Sequence, residues 1–194
     1  MSHRRIARFA VPETLEGLPE DVRRRILEVQ EKAGFVPAIF LLLARRPEEF
    51  RAFFAYHDAL MERDSGLTKA EREMIVVATS AANRCLYCVV AHGAILRIRA
   101  RDPILSDILA VDWRRAGLDL RQRAMLAFAE KLALRPWEVE DADIARLQAA
   151  GLSQEEIWDI GAITALFALS NRLAHMADLR PNPEFYALGR TPRE

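Results

Sequence analysis

Residues 71–93 read EREMIVVATSAANRCLYCVVAHG and hold both cysteines of a 194-residue chain. Met74, Ile75, Val77 and Ala78 bury one side of a first helix, and Asn83-Arg84 reads as its break. A second helix starting there takes Cys85 and Cys88 into or near its first turn, where unpaired N–H groups and the helix dipole favour a thiolate. For Glu73 on the first helix to reach His92 on the second, the two must fold back alongside each other. That helical hairpin is the expected centre of an all-α fold.

At about 100° per residue, Cys85, Cys88 and His92 fall within roughly 60° of one another and form one stripe on a helix surface. Residues three apart lie about 5 Å apart, a separation that a disulfide tolerates, so the pair can cycle between dithiol and disulfide with little backbone movement. A thiol reacts as its thiolate, and a free pKa of about 8.5 must be lowered before it is useful at neutral pH. His92, one turn beyond Cys88, can take the Cys88 proton directly or through a water, with Glu73 orienting and charge-compensating the imidazole. Alone, each residue has a plainer reading: His92 as a packing residue, Glu73 and Arg84 as solvated charges. Together they point to chemistry, because the chain's only two cysteines stand at redox spacing with a histidine on their face.

The pattern E-x11-C-x2-C-x3-H carried by Glu73, Cys85, Cys88 and His92 resembles the active-site signature of the alkylhydroperoxidase D (AhpD) family, part of the wider carboxymuconolactone decarboxylase-like group of all-helical proteins. The segments CLYCVVAHGAILR, FALSNRLA and RPNPEFYALGR resemble its peroxidase-related branch, so the likeness spans nearly the whole chain. The resemblance implies that Cys88 is the peroxidatic cysteine, attacking the O–O bond to become a sulfenic acid, and that Cys85 is the resolving cysteine. It implies that Glu73 and His92 relay protons, that a lipoyl or thioredoxin-like dithiol reduces the disulfide, and that the chain is a homo-oligomer working without a metal or other cofactor. Tyr87 stands where the best-known members carry a histidine. A phenol with a pKa near 10 is no base at neutral pH, but Tyr87 can hydrogen-bond a peroxide oxygen as a substrate-binding residue.

Outward from this stretch, Thr68-Lys-Ala-Glu71 is a capping box that starts the first helix, and Ser153-Gln-Glu-Glu156 is a second one that starts the last long helix. Both follow a Gly-Leu pair, and Ser170-Asn171-Arg172 echoes Asn83-Arg84. The expectation is a single AhpD-like domain over residues 1–194, its active-site core at about 66–100, with a degenerate second repeat at about 151–180 that has lost its cysteines. Upstream, a helix is expected from Pro19 to Gly34, a short apolar piece over Ala38–Ala44, and a helix from Pro47 to about Arg63. On the last of these His57 reads as a packing residue, or as a second base if it lies near Cys88. Downstream, Asp102-Pro103 reads as the N-cap and N1 of a short helix to about Val111, followed by helices over Asp119–Leu134 and from Asp141 to Gly151. His175, near the last helix's end, reads as a residue whose cation the dipole favours. The closing RPNPEFYALGR either wraps the body or a neighbouring subunit, or forms a flexible tail. No strand-like alternation appears anywhere.

Lys+Arg and Asp+Glu balance at 28 each, so nothing marks a nucleic-acid footprint or an anionic-membrane surface. Arg4, Arg5 and Arg8 run straight into Val11, Pro12 and Glu13 with no apolar stretch of the kind a secretory signal needs, and no run approaches the roughly 20 residues that span a bilayer. The expected location is cytoplasmic, where a C-x-x-C is catalytic or metal-binding rather than a structural staple. Three functions stay open. The first is a thiol peroxidase. The second is a carboxymuconolactone decarboxylase-type enzyme, whose chemistry, as the resemblance implies, uses no cysteine pair. The third is a thiol–disulfide exchanger, a redox sensor, or a zinc module ligated by Cys85, Cys88, His92 and Glu73.

Overall fold

A computed structural model describes residues 5–190; Arg4, from the N-terminal reading above, lies outside them. Among the described residues ten α-helices follow in order: α1 Glu20–Ala33, α2 Ala38–Ala44, α3 Pro47–Met61, α4 Lys69–Ala82, α5 Leu86–Ala100, α6 Leu105–Asp112, α7 Leu120–Leu134, α8 Asp141–Ala149, α9 Gln154–Ala177 and α10 Glu184–Ala187. Two 3-10 turns, Trp113–Arg115 and Pro136–Glu138, join the later ones. No strand occurs among the described residues, and the fold is all α.

Helix α4 is the axis of the molecule. Every residue from Glu71 to Ser80 is buried, and α5, α6, α7 and α9 all pack on it. An amphipathic helix has one wet face; one buried all round must be enclosed by others. Its charged residues therefore need partners. Arg72 donates to Met61 O and Ser65 Oγ. Glu71, the N3 residue of the α4 capping box, meets Arg121 of α7.

The same Arg121 meets Glu156, the N3 residue of the α9 capping box. Both caps are thus clasped by one guanidinium, and Gly66 leaves room for Glu156, since a Cβ there would fall 2.3 Å from its Oε1. At the other end, Asn83 Nδ2 donates to Asn171 Oδ1 (3.0 Å) and Asn171 Nδ2 to Ser80 Oγ (3.0 Å). The two helices therefore run parallel, side by side.

One boundary differs from expectation. Helix α6 begins at Leu105, not Pro103, because Asp102 Oδ1 accepts the N–H groups of Ile104 and Leu105 and caps the helix from two residues further back. Ser170-Asn171-Arg172 lies inside α9, which continues to Ala177; Asn171 bonds sideways to Ser80, and Arg172 bonds Ala168 O of its own helix.

The closing segment wraps the body. Asn182 accepts from Ala38 N and donates to Val36 O, Arg97 donates to Phe185 O and Leu188 O, and Phe35 meets Phe185 edge-on at 4.8 Å. The N-terminal segment is laced to the end of α9 by Arg8 N to Ala177 O and Arg180 N to Ile6 O. Ala7, Phe9 and Val11 join the apolar cluster that contains both cysteines.

Candidate active site

The corner between α4 and α5 determines where the thiols sit. Arg84 adopts the left-handed conformation (φ 56°), Cys85 N donates to Ser80 O, and Arg84 N donates to Ala81 O. This is the paired 6→1 and 5→2 closure of a Schellman motif, usually built on glycine. Cys85 closes α4 and is at once the N-cap of α5; Cys88 is the third residue of α5. The side chain of Arg84 is exposed, the solvated-charge reading.

Both thiols are free and almost fully enclosed, Cys85 at 2% exposure and Cys88 at 1%. Contact with the Cys88 thiol lowers Cys85 to about 7 from an ordinary 9.0; burial opposes this, while the amides of Cys88 and Tyr87 and the nearby His175 ring assist. These amides approach the Cys85 sulfur without completing a cap hydrogen bond. The same contact holds Cys88 protonated well above its ordinary value, with burial and the Cys85 charge adding to it; Ser170 and Asn171 pull the other way. Two thiols in contact share one proton, and the resting thiolate belongs to Cys85, the sulfur at the positive end of the helix.

Glu73 and His92 meet: His92 Nδ1 lies 2.8 Å from Glu73 Oε2, and both side chains are largely buried. With Nδ1 engaged by Glu73, Nε2 is the ring atom left to work. His92 makes no hydrogen bond to Cys88 among the described residues, so the transfer between them expected from the sequence needs an intervening water. The edge of the imidazole packs on Phe167 at 4.6 Å. His57 lies 6.3 Å from the same ring and bonds Asp58, and is a packing residue.

Tyr87 is buried, and its hydroxyl accepts the Ile39 N–H at 3.1 Å. Burial pushes its pKa upward, so it stays protonated and serves first to hold α2 against α5. Its O–H proton is still available to an acceptor.

Three α9 residues reach the thiols and were not recognised as site residues from the sequence. Ser170 Oγ lies 3.7 Å from Cys88 Sγ, Asn171 is the polar bridge from α4 to α9, and His175 Nε2 lies 2.9 Å from Asn83 O beside Cys85. The usable signal was Ser170-Asn171, a polar pair inside an apolar helical run.

Residues 47–103, from the start of α3 to just beyond α5, match the carboxymuconolactone decarboxylase family. No curated protein matches. Among solved structures, the chain is similar to the AhpD core of an uncharacterized peroxidase-related protein from Ralstonia eutropha JMP134, at 60% identity over 98% of this chain and 100% of that one, with a TM-score of 0.95. A second uncharacterized peroxidase-related protein, from Silicibacter sp. TM1040, is 37% identical over 98% of this chain and 99% of that one, with a TM-score of 0.92. The debrominase Bmp8, solved with 2,3,4-tribromopyrrole, shares the fold at 20% identity over 92% of this chain and 94% of that one, with a TM-score of 0.73. The chain belongs to the AhpD-like, carboxymuconolactone decarboxylase family, among its peroxidase-related members.

Proposed function

We propose that the protein is a thiol-dependent peroxidase. One observation carries the reading: a free cysteine pair sharing one proton at a helix N-terminus, with a buried histidine one turn further along that helix bonded to a carboxylate of the neighbouring one. The Cys88 proton passes to the Cys85 thiolate, leaving a Cys88 thiolate beside Ser170 Oγ. That sulfur attacks the distal oxygen of a hydroperoxide; the O–O bond breaks, Cys88 becomes a sulfenic acid, and the alkoxide takes a solvent proton relayed by water through the Glu73–His92 dyad. Cys85 then attacks the Cys88 sulfur, its proton leaves with the hydroxyl as water, and the pair closes as a disulfide. A partner dithiol returns two electrons and two protons. In sum, one hydroperoxide, one thiol, one thiolate and one solvent proton give one alcohol, one water and one disulfide, and re-reduction returns that proton to solvent as the Cys85 thiolate re-forms.

Tyr87 donates its O–H to the peroxide in this scheme, and the dithiol is a lipoyl or thioredoxin-like protein of the cytoplasm. The resting charge on Cys85 supports a second use of the site, as a thiol–disulfide exchanger that attacks a partner's disulfide through Cys85. The parallel pairing of α4 and α9, with like capping boxes, supports an ancestral duplication.

The test is intact mass after one equivalent of cumene hydroperoxide, on wild type and Cys85→Ser. The peroxidase loses two hydrogens as wild type and traps a sulfenic acid on Cys88 as the variant. If both proteins stay unmodified while a disulfide substrate oxidises the pair, the site is an exchanger and the peroxidase reading fails.

A further inference from the structure

Both thiols are enclosed, yet any use of the pair requires them to meet a second molecule. Four pieces of chain share one apolar cluster with the cysteines: α2, the end of α9, the closing segment and residues 5–11. Three of these are held by side chains no more than 4% exposed: Tyr87 holds α2, Asn171 ties α9 to α4, and Arg97 grips Phe185 O and Leu188 O of the closing segment. Residues 5–11 are held differently. No helix or strand forms between residues 5 and 19, and within 5–11 just Ala7 is buried. Phe9 and Val11 are half-buried, and the exposed Arg45 lies over the Phe9 ring at 5.0 Å. Two backbone bonds, Arg8 N to Ala177 O and Arg180 N to Ile6 O, join this strap to the end of α9. Two exposed cations add to them, Arg8 Nη1 donating to Met176 O at 2.9 Å and Arg5 meeting Asp178 at 3.4 Å. Ile6 also lines one groove with Leu86, the residue that follows Cys85, so the strap abuts the turn of α5 that carries the thiols.

We infer that residues 5–11 are a gate: they lift from α9 as a unit, with the helices intact, and so open Cys85 and Cys88 to a hydroperoxide or a partner's sulfur. The inference rests on the pair being the reactive site, whichever molecule it meets. Local opening takes the segment with the fewest buried apolar groups and the most exposed hydrogen bonds, and among the four covers that is the strap. Its four attachments all fall on residues 176–180, so the loss of one loosens the others. Moving Ile6 and Ala7 together takes away one wall of the groove beside Leu86 and a buried member of the thiol cluster. Closed, the strap withholds the pair; its attachments set how often the pair is available.

The experiment labels the full chain with iodoacetamide and with a bulky polymer-linked maleimide, each rate being divided by that of the same protein unfolded in urea. A gate protects the thiols equally from both reagents, since the opening that admits one admits the other. At low urea the rates do not follow the urea dependence of global unfolding. Arg8→Pro removes the amide donor and the guanidinium bond together and raises both rates by about 10- to 100-fold at an unchanged melting temperature. Arg8→Ala keeps the amide and raises them by about 3- to 10-fold. Equal labelling of wild type and both variants overturns the inference, as does entry of the small reagent alone or labelling that tracks global unfolding. No peroxide is used, so the two readings fail separately. A pair that labels as expected but resists cumene hydroperoxide keeps the gate and removes the peroxidase.

Discussion

Replacing Cys88 with alanine deletes the contact that does most to lower the Cys85 pKa. The Cys85 midpoint then moves from about 7 toward 9.0. At pH 7 its thiolate share falls from about one half to about one hundredth, roughly a fiftyfold loss of the reactive form. A more basic thiolate is intrinsically more nucleophilic, with a Brønsted slope of about 0.4–0.5, which restores roughly eightfold and leaves a net slowing of about sixfold toward a small alkylating agent. Because the sulfur is enclosed, the direct readout is the ultraviolet absorbance of the thiolate against pH. Wild type gains one thiolate with a midpoint near 7 and a second far above it; Cys88→Ala loses the step near 7, and so does Cys85→Ala. Reactivity rises as pH climbs through about 7. The sign for stability is the same: a folded value below the unfolded one adds stability above about pH 9, and that increment is lost as pH falls through about 7. If Cys88→Ala still titrates near 7, the contact is not the cause. If Cys85→Ala keeps the step, the resting thiolate belongs to Cys88 and the assignment is inverted.

Glu73→Gln keeps a hydrogen-bonding side chain but removes the charge behind His92; it slows single-turnover disulfide formation by roughly 100-fold, read by stopped flow, with the Cys85 titration unchanged. Ser170→Ala takes away the hydroxyl beside Cys88, and sulfenic acid formation in Cys85→Ser slows by about threefold to tenfold at unchanged melting temperature. Arg121→Ala leaves two largely buried carboxylates uncompensated, costing about 3 kcal/mol, a fall of roughly 6–12 °C in a thermal melt. An Arg121→Ala protein that melts like wild type would remove the clasp as a source of stability.

Much of this architecture was legible because local chemistry and tertiary packing agree. Thr68, Asp119 and Ser153 cap where their side chains say they should, and Gly34 ends α1 in the left-handed conformation. The thiols fall in the first turn of α5, and Glu73 does reach His92, as the folded-back hairpin required. What could not be read depended on partners distant in sequence. Asn171 reads only as an echo of Asn83 until Ser80 and Asn83 are seen to occupy its amide. Cys88 looked like the thiolate because His92 follows it by one turn, yet a contact between two sulfurs outweighs an imidazole engaged by Glu73. The Tyr87 hydroxyl keeps its O–H for an acceptor, but α2 has already supplied the Ile39 amide to its oxygen. Spacing on one helix reveals which residues share a face, and it is silent on what the facing helix has already claimed.

The lacing of residues 6 and 8 to residues 177 and 180 has a consequence for the chain as it is made. Synthesis delivers the cover of the thiols first, but its anchor points last. Ala177 follows Cys88 by 89 positions, which at about 5–20 residues per second take the ribosome roughly 4–18 s. Helix α9, which supplies Ser170 and Asn171, arrives in the same late stretch. Through that interval the nascent polypeptide carries its two thiols unsheltered, open to ambient disulfides and oxidants, and the enclosure that distinguishes the finished protein is its last act of folding.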